Sequence, residues 1–172
     1  NNLFWTRTVN QGDVEKAFKE ADAVVETTLD FARHTGVTLE SRGIVADWNK
    51  AENKMTIYHN GQAPHMMQHI IAKHLDLNEG LVRIVSRDVG GSFGIKVHVY
   101  PDEMAVTAIS KKLGRPVKFI ADRLESFTTD IHARCHKISG KLGVDKNGKI
   151  LAMEIDDLSG IGPFSMYPRT SA

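Results

Sequence analysis

Three glycines within five positions, Gly90, Gly91 and Gly94, end an extended run and leave a single large side chain, Phe93, among them. The run from Leu81 to Val89, anchored by Val82, Ile84 and Val89, has the alternation of a strand, and Pro101 is placed to open a helix shortly after the last glycine. Strand, glycine loop and helix form a layout suited to ligand binding. Glycine admits positive φ and lets another molecule approach bare backbone, so amides of such a loop can point at an anion or an oxo group. Nucleotide loops are excluded by spacing: Lys96 follows Ile95 and precedes Val97, where a Walker loop needs Gly-Lys-Ser/Thr, and Ser92 stands where a dinucleotide fingerprint needs glycine. The same glycines would also serve a tight strand-to-helix turn that binds nothing.

The composition narrows the class of partner. The 172 residues are 41% hydrophobic and 25% charged, enough for one full-sized core, and one domain spanning residues 1–172 is expected. Twenty-two Lys and Arg against 21 Asp and Glu give a net charge of +1 with no basic run, so the electrostatic footprint of a nucleic-acid partner is missing. No apolar run approaches the ~18 residues of a membrane span, and Asn1-Asn2-Leu3-Phe4-Trp5 has no signal-peptide pattern, so a cytoplasmic location is expected. Cys135 is the only cysteine, which excludes internal disulfides and the usual Cys-ligated iron–sulfur clusters. The chain starts without Met and stops at Ser171-Ala172 with no anchoring element, as a segment of a longer chain would.

Taken in order, Asp13 can cap a short helix carrying Val14, Ala17, Phe18 and Ala21. Val25, Thr27, Leu29 and Phe31 alternate as a half-buried strand. Arg42 to Trp48 and Lys54 to His59 read as an antiparallel hairpin, after which Asn60-Gly61-Gln62 turns into a helix begun by Pro64. His65 and His69 share a face of that helix, but Met66 occupies the place where a zinc protease carries its glutamate, which leaves a solvated histidine face. Pro101 to Leu113 is a helix with acids in its first turn and lysines in its last, expected to bury Met104, Ala105, Ala108, Ile109 and Leu113. Val117 to Ile120 is a short strand and Arg123 to Arg134 a loop, and His136 to Val144 pairs with Lys149 to Ser159 across Asp145-Lys146-Asn147-Gly148. Arg33, His34 and Glu40 are expected as solvated loop residues, and Gly160 to Ser165 as irregular chain. Interleaved strands and helices with two hairpins give an α+β class: a mixed, largely antiparallel sheet with packed helices.

Gly90-Gly91-Ser92-Phe93-Gly94-Ile95-Lys96, then Tyr100-Pro101, Gly114-Arg115-Pro116-Val117-Lys118 and Asp122-Arg123, resemble in order and spacing the signatures of a known family. It is that of the molybdenum-binding large subunit of xanthine dehydrogenases, aldehyde oxidases and aerobic carbon monoxide dehydrogenases. Leu39-Glu40-Ser41-Arg42-Gly43 and Asn60-Gly61-Gln62-Ala63-Pro64 are similar to two further landmarks of it. The resemblance implies part of a molybdopterin-binding domain from a molybdenum hydroxylase, an oxidoreductase acting on a small molecule with water-derived oxygen. It implies molybdopterin with molybdenum, in the simple or the cytosine dinucleotide form, contacted by Gln62 and by the loop Gly90, Gly91, Ser92, Phe93 and Gly94. Gln62 and the Phe93 backbone would face the ligands of the metal, with no direct side-chain ligand. The partners implied are the remainder of the molybdenum-binding subunit and FAD-binding and 2Fe-2S subunits or domains. The catalytic glutamate is expected beyond Ala172, so the chain alone is expected to be inactive. Val97 stands where purine-oxidising members carry a glutamate, which disfavours xanthine as substrate. Without the resemblance, the residues fit equally a non-catalytic module that binds a small anion at its glycine loop.

Overall fold

The computed structural model describes residues 2–162. In chain order its elements are α1 (Val14–Glu20), β1 (Ala23–Phe31), β2 (Gly43–Asn49), β3 (Lys54–His59), α2 (Pro64–His74), β4 (Val82–Val85), α3 (Pro101–Leu113), β5 (Val117–Ile120), α4 (Arg123–Thr129), β6 (Cys135–Val144) and β7 (Ile150–Gly160). This is an α+β chain with two sheets, one antiparallel in the order β1-β6-β7 and one in the order β4-β3-β2-β5, where only β3 and β4 run parallel. The sequence carries no visible linker, yet the chain forms two compact units. Strand pairing explains the division. β1 pairs with β6, far along the chain, so the segments up to Arg33 and from Arg134 to Gly162 form one unit, and His34–Ala133 closes on itself as the other.

In the first unit Asp13 caps α1 by accepting from the Lys16 amide at 3.0 Å, as its position before an apolar-periodic run requires. The β6–β7 turn is held by the Asp145 carboxylate, which accepts from the Asn147 and Lys149 amides at 2.8 and 2.9 Å, with Gly148 at φ +81°. The half-buried strand expected around Val25, Thr27, Leu29 and Phe31 is present but exposed along its whole length. The register places Val25, Leu29 and Phe31 on one face with Ile138, Leu142, Met153 and Ile155, and that apolar face is largely open. The opposite face carries Glu26, Lys141 and Glu154 in one cross-strand row. Alternation in sequence fixes which side chains share a face, but burial depends on something packing there.

The second unit holds the core. Ile44, Ala46 and Trp48 of β2, Met55 and Ile57 of β3 and Val82 of β4 are buried against Met67, Ile71 and Ala72 of α2 and Val106 of α3. β4 is shorter than the Leu81 to Val89 run, since a 3₁₀ turn takes Glu79–Leu81 and pairing with β3 stops at Val85. The loop expected at Arg123 to Arg134 begins instead with α4, whose capping box was present in the sequence as Asp122 and Glu125.

The largest departure concerns α3. Ala105, Ala108, Ile109 and Leu113 are exposed, and the row Glu103, Val106, Thr107 and Ser110 is buried instead. Its spacing of i, i+3, i+4 and i+7 is that of a single helix face. Polar partners select that face: the Ser110 hydroxyl accepts from the Trp48 amide at 3.0 Å and donates to the Arg115 carbonyl at 2.9 Å. At the other end of the row Glu103 meets Arg42, whose side chain is 1% exposed. Arg42 is forked on Asp102 at 2.9 and 2.8 Å, donates to Asp130 at 2.7 Å and to the Thr129 hydroxyl at 3.1 Å, and stacks on the Tyr100 ring at 3.7 Å. Burial alone would lower its pKa; the hydrogen bonds and charges of Asp102, Asp130 and Glu103 outweigh that and raise it.

Breaking a buried ion pair by removing one partner typically costs about 3–5 kcal/mol, whereas an exposed pair such as Lys54–Glu52 contributes about 0–1 kcal/mol. Arg42→Met is therefore expected to lower the unfolding free energy by about 3–5 kcal/mol, because Asp130 and Glu103 lose their counter-charge. Denaturant titration checks this. A loss no larger than that of Glu52→Gln would contradict it.

Candidate functional site

The two landmarks read from the sequence, Asn60-Gly61-Gln62 and the glycine loop, meet in the second unit although about thirty residues separate them. Gln62 lies just past the end of β3, after Asn60 and Gly61. Its backbone N–H donates to the Lys96 carbonyl at 3.2 Å, and its side-chain Oε1 accepts from the Gly94 amide at 3.2 Å and from the Ser92 hydroxyl. The Lys96 amide in turn donates to Ser92 Oγ at 3.1 Å, which closes a ring of hydrogen bonds through Gln62, Ser92 and Lys96.

The turn before Gln62 is fixed by its neighbours. The Asn60 side chain accepts from the Gly43 amide at 2.9 Å and donates to the Ser41 carbonyl at 2.8 Å, which bolts the end of β3 to the start of β2. At Gly61 an added Cβ would lie 2.3 Å from the His59 ring, so only glycine fits there without displacing that ring. His59 is buried and hydrogen-bonded through Nε2 to Glu103 at 3.1 Å, which connects this turn to the Arg42 cluster.

Glu40 and Lys96 hold the other side of the loop. The Glu40 carboxylate accepts from the Gly90 amide and from Lys96 Nζ, both at 2.8 Å, and the Glu40 amide donates to the Gly90 carbonyl at 3.2 Å. Lys96 is 1% exposed in its side chain, and Glu40 is the counter-charge that offsets its burial. Burial pushes the Glu40 pKa up, but hydrogen bonds from Lys96, Gly90 and Asn60 outweigh that and hold it below its ordinary value of 4.5. Glu40 was expected to be a solvated loop residue. Its partners are fifty and more positions away, and no local pattern could have supplied them. Tyr100 adds a third tie by donating from its hydroxyl to the Ile95 carbonyl at 2.9 Å, with burial raising the phenol pKa.

Two residues of the loop are left open. Phe93 is 79% exposed and held at φ +50°, an uncommon conformation for a bulky residue, while a Cβ on Gly36 would come within 2.9 Å of the Phe93 Cβ. Gly94, at φ +89°, has nothing within 4 Å of the place a side chain would occupy. The backbone is therefore bare on that side. Away from the loop, His69 is hydrogen-bonded through Nδ1 to Glu79 Oε1 at 2.6 Å, and Cys135 is a free thiol at the start of β6.

This arrangement defines a class: an α+β unit presenting a neutral amide and a bare glycine loop at one edge of a mixed sheet. Residues 1–171 match the model of the molybdopterin cofactor-binding domain, and the chain belongs to that family. It is 32% identical over 164 residues to the carbon monoxide dehydrogenase large chain of Hydrogenophaga pseudoflava, covering 95% of this chain and 20% of that one. To the nicotine 6-hydroxylase large subunit of Paenarthrobacter nicotinovorans it is 32% identical over 161 residues, covering 94% and 20%. The crystal structure of quinoline 2-oxidoreductase from Pseudomonas putida 86 superposes with a TM-score of 0.85 at 30% identity, over 92% of this chain and 20% of that one. The chain thus spans about a fifth of the length of these relatives. Among the described residues no helix is long and apolar enough to cross a membrane.

A carboxylate whose folded pKa is depressed stabilises the fold above its unfolded pKa and loses that contribution as pH falls through the folded value. The Glu40 contribution should accordingly be complete above pH 4.5 and fade as the pH falls through its lowered pKa. Glu40→Gln should remove that acid-limb dependence and, since the pair is partly solvated, cost about 1–3 kcal/mol at neutral pH. Hydrogen exchange at the Gly90 amide, followed against pH, checks it; equal protection in both proteins would contradict the latch.

Proposed function

We propose that this chain is one wall of the molybdopterin site of a molybdenum hydroxylase and that Gln62 is its contact to the metal centre. The observation that carries the reading is the orientation of the Gln62 amide. A backbone N–H can only donate, so the atom facing the Gly94 amide is the oxygen, and Nε2 is left as an outward donor on an exposed side chain. The open space beside Gly94 and the exposure of Phe93 are what a cofactor-facing loop requires, and the φ of +50° at Phe93 is costly for a loop that binds nothing. The residues present therefore fit the group that the family binds.

Gln62 would hold the cofactor through Nε2, and Gly91, Phe93 and Gly94 would line it with backbone, the two glycines admitting close approach at positive φ. When bound, molybdopterin with its molybdenum supplies the redox chemistry that adds water-derived oxygen to a small substrate. Gln62 offers a fixed neutral donor toward negative charge that develops during turnover, and the ring through Ser92 and Lys96 spares it any reorganisation. Gly90 and Ser92 act from behind the loop, one on Glu40 and the other on Gln62. No acid in this chain takes the part of general base, which belongs to the rest of a longer subunit. FAD-binding and iron–sulfur subunits or domains complete the electron path, and a cytosolic setting suits this assembly. The substrate class is narrowed by Val97, which is buried at 7% exposure and carries no charge to hold a purine, so an aldehyde, carbon monoxide or a non-purine heterocycle is the better candidate.

Two variants of the full-length protein separate binding from turnover. Gly94→Val should abolish molybdenum loading, because a β-branched residue resists positive φ and fills the open space. Gln62→Ala should load normally and slow kcat by the loss of one preorganised donor, about 3 kcal/mol in comparable sites. Metal content measured beside steady-state rate checks both, and full loading of the glycine variant would contradict the reading.

A further inference from the structure

We infer that Ser92 is a positioning residue: its hydroxyl tethers the Gln62 amide in place, and through that amide it sets the rate of the proposed reaction without touching the cofactor. The inference rests on the reading of Gln62 given above.

A serine hydroxyl has one hydrogen to give and lone pairs to receive. The Lys96 backbone N–H, which can only donate, points at Ser92 Oγ at 3.1 Å. The one Ser92 hydrogen is free to turn to its other neighbour, Gln62 Oε1. That oxygen also accepts from the Gly94 amide at 3.2 Å, so both of its lone pairs are engaged by donors of the same loop. Turning the amide over would put the Nε2 hydrogens against the Gly94 N–H, which can only donate, whereas the Ser92 hydroxyl can accept as well as donate; Gly94 therefore sets which way the amide faces, and Ser92 tethers it there. Ser92 is held in place at both ends of its short stretch. Its carbonyl accepts from the Ile95 amide at 2.9 Å, and Lys96, the residue that donates to its hydroxyl, is anchored through its side chain on Glu40. Glycine or alanine at this position would leave the Gly94 amide as the one donor from the loop to that oxygen. Ser92 is not among the residues with positive φ, so a threonine can adopt its backbone and keep the hydroxyl.

The test is a double-mutant cycle in the full-length protein, with Ser92→Ala and Gln62→Ala made singly and together, Ser92→Thr as the conservative variant, and molybdenum content and a crystal structure for each. Loss of one neutral hydrogen bond should lower kcat of Ser92→Ala by about five- to tenfold, with KM and molybdenum content unchanged. In the Gln62→Ala background the same change should have no further effect, since the residue acts through Gln62, and Ser92→Thr should restore the rate. The Ser92→Ala structure should show the Gln62 side chain in more than one rotamer. Multiplicative losses in the double variant, a fall in molybdenum content for Ser92→Ala, or an undisturbed Gln62 amide would each overturn the inference. A Gln62→Ala protein with full molybdenum and unchanged kcat would overturn the reading of Gln62 instead, and the position of the Gln62 side chain in Ser92→Ala would still decide whether Ser92 holds it.

Discussion

A single buried guanidinium organises the unit that carries the candidate site. Arg42 stands at the entry to β2 and gathers the start of α3 through Asp102 and Glu103 and the end of α4 through Thr129 and Asp130. Three carboxylates around one guanidinium would be unfavourable without further partners, since a buried charge is tolerated only when its hydrogen bonds are complete. Those partners lead to the site. Glu103 is shared with His59, whose ring sits over Gly61, and Tyr100, stacked on Arg42, reaches the Ile95 carbonyl just past the glycine loop. Charge burial in the core and placement of Gln62 are thus parts of one network. Such a network gives up stability that apolar packing would supply, and in return it admits few alternative arrangements.

The loop itself is held from behind and left bare in front. Glu40, Lys96 and Ser92 engage Gly90, Gln62 and each other, whereas Phe93 and Gly94 face open space. A bulky residue at φ +50° is unfavourable for the isolated loop. Strain and exposure confined to one side of a well-tied loop are what preorganisation for a ligand looks like. The same reasoning gives the open face of the three-stranded sheet a different meaning: apart from the His136–Asp157 pair it is mainly apolar, with Val25, Leu29, Met153 and Ile155 exposed, and it reads as a packing surface.

Local chemistry made much of this legible in the sequence. Asp13 as a cap, Pro64 and Pro101 as helix starts, Val117–Ile120 as a strand and the Gly148 turn all follow from residues acting on their near neighbours. What escaped was decided at a distance. α3 turned its Glu103 and Ser110 row inward because Arg42, His59 and Trp48 needed those groups, and apolarity alone pointed to Ala105 and Ala108. α4 is different, since its capping box was in plain view and mixed charge obscured it. At the site, Gln62 and the glycines stood out by type and resemblance, whereas Glu40 could not, because a surface carboxylate and a latch on a buried lysine have the same local sequence.

The central claim is that the Gln62 amide and the loop from Gly90 to Gly94 form one face of a molybdopterin site. The most direct measurement is a crystal structure of the full-length protein loaded with its cofactor. The account predicts Gln62 Nε2 at about 3 Å from the metal centre's oxygen ligand, Oε1 still held by Ser92 and Gly94, and the cofactor filling the space beside Gly94. A molybdenum centre bound elsewhere, with Gln62 and residues 90–94 facing solvent or packed only against protein, would contradict it.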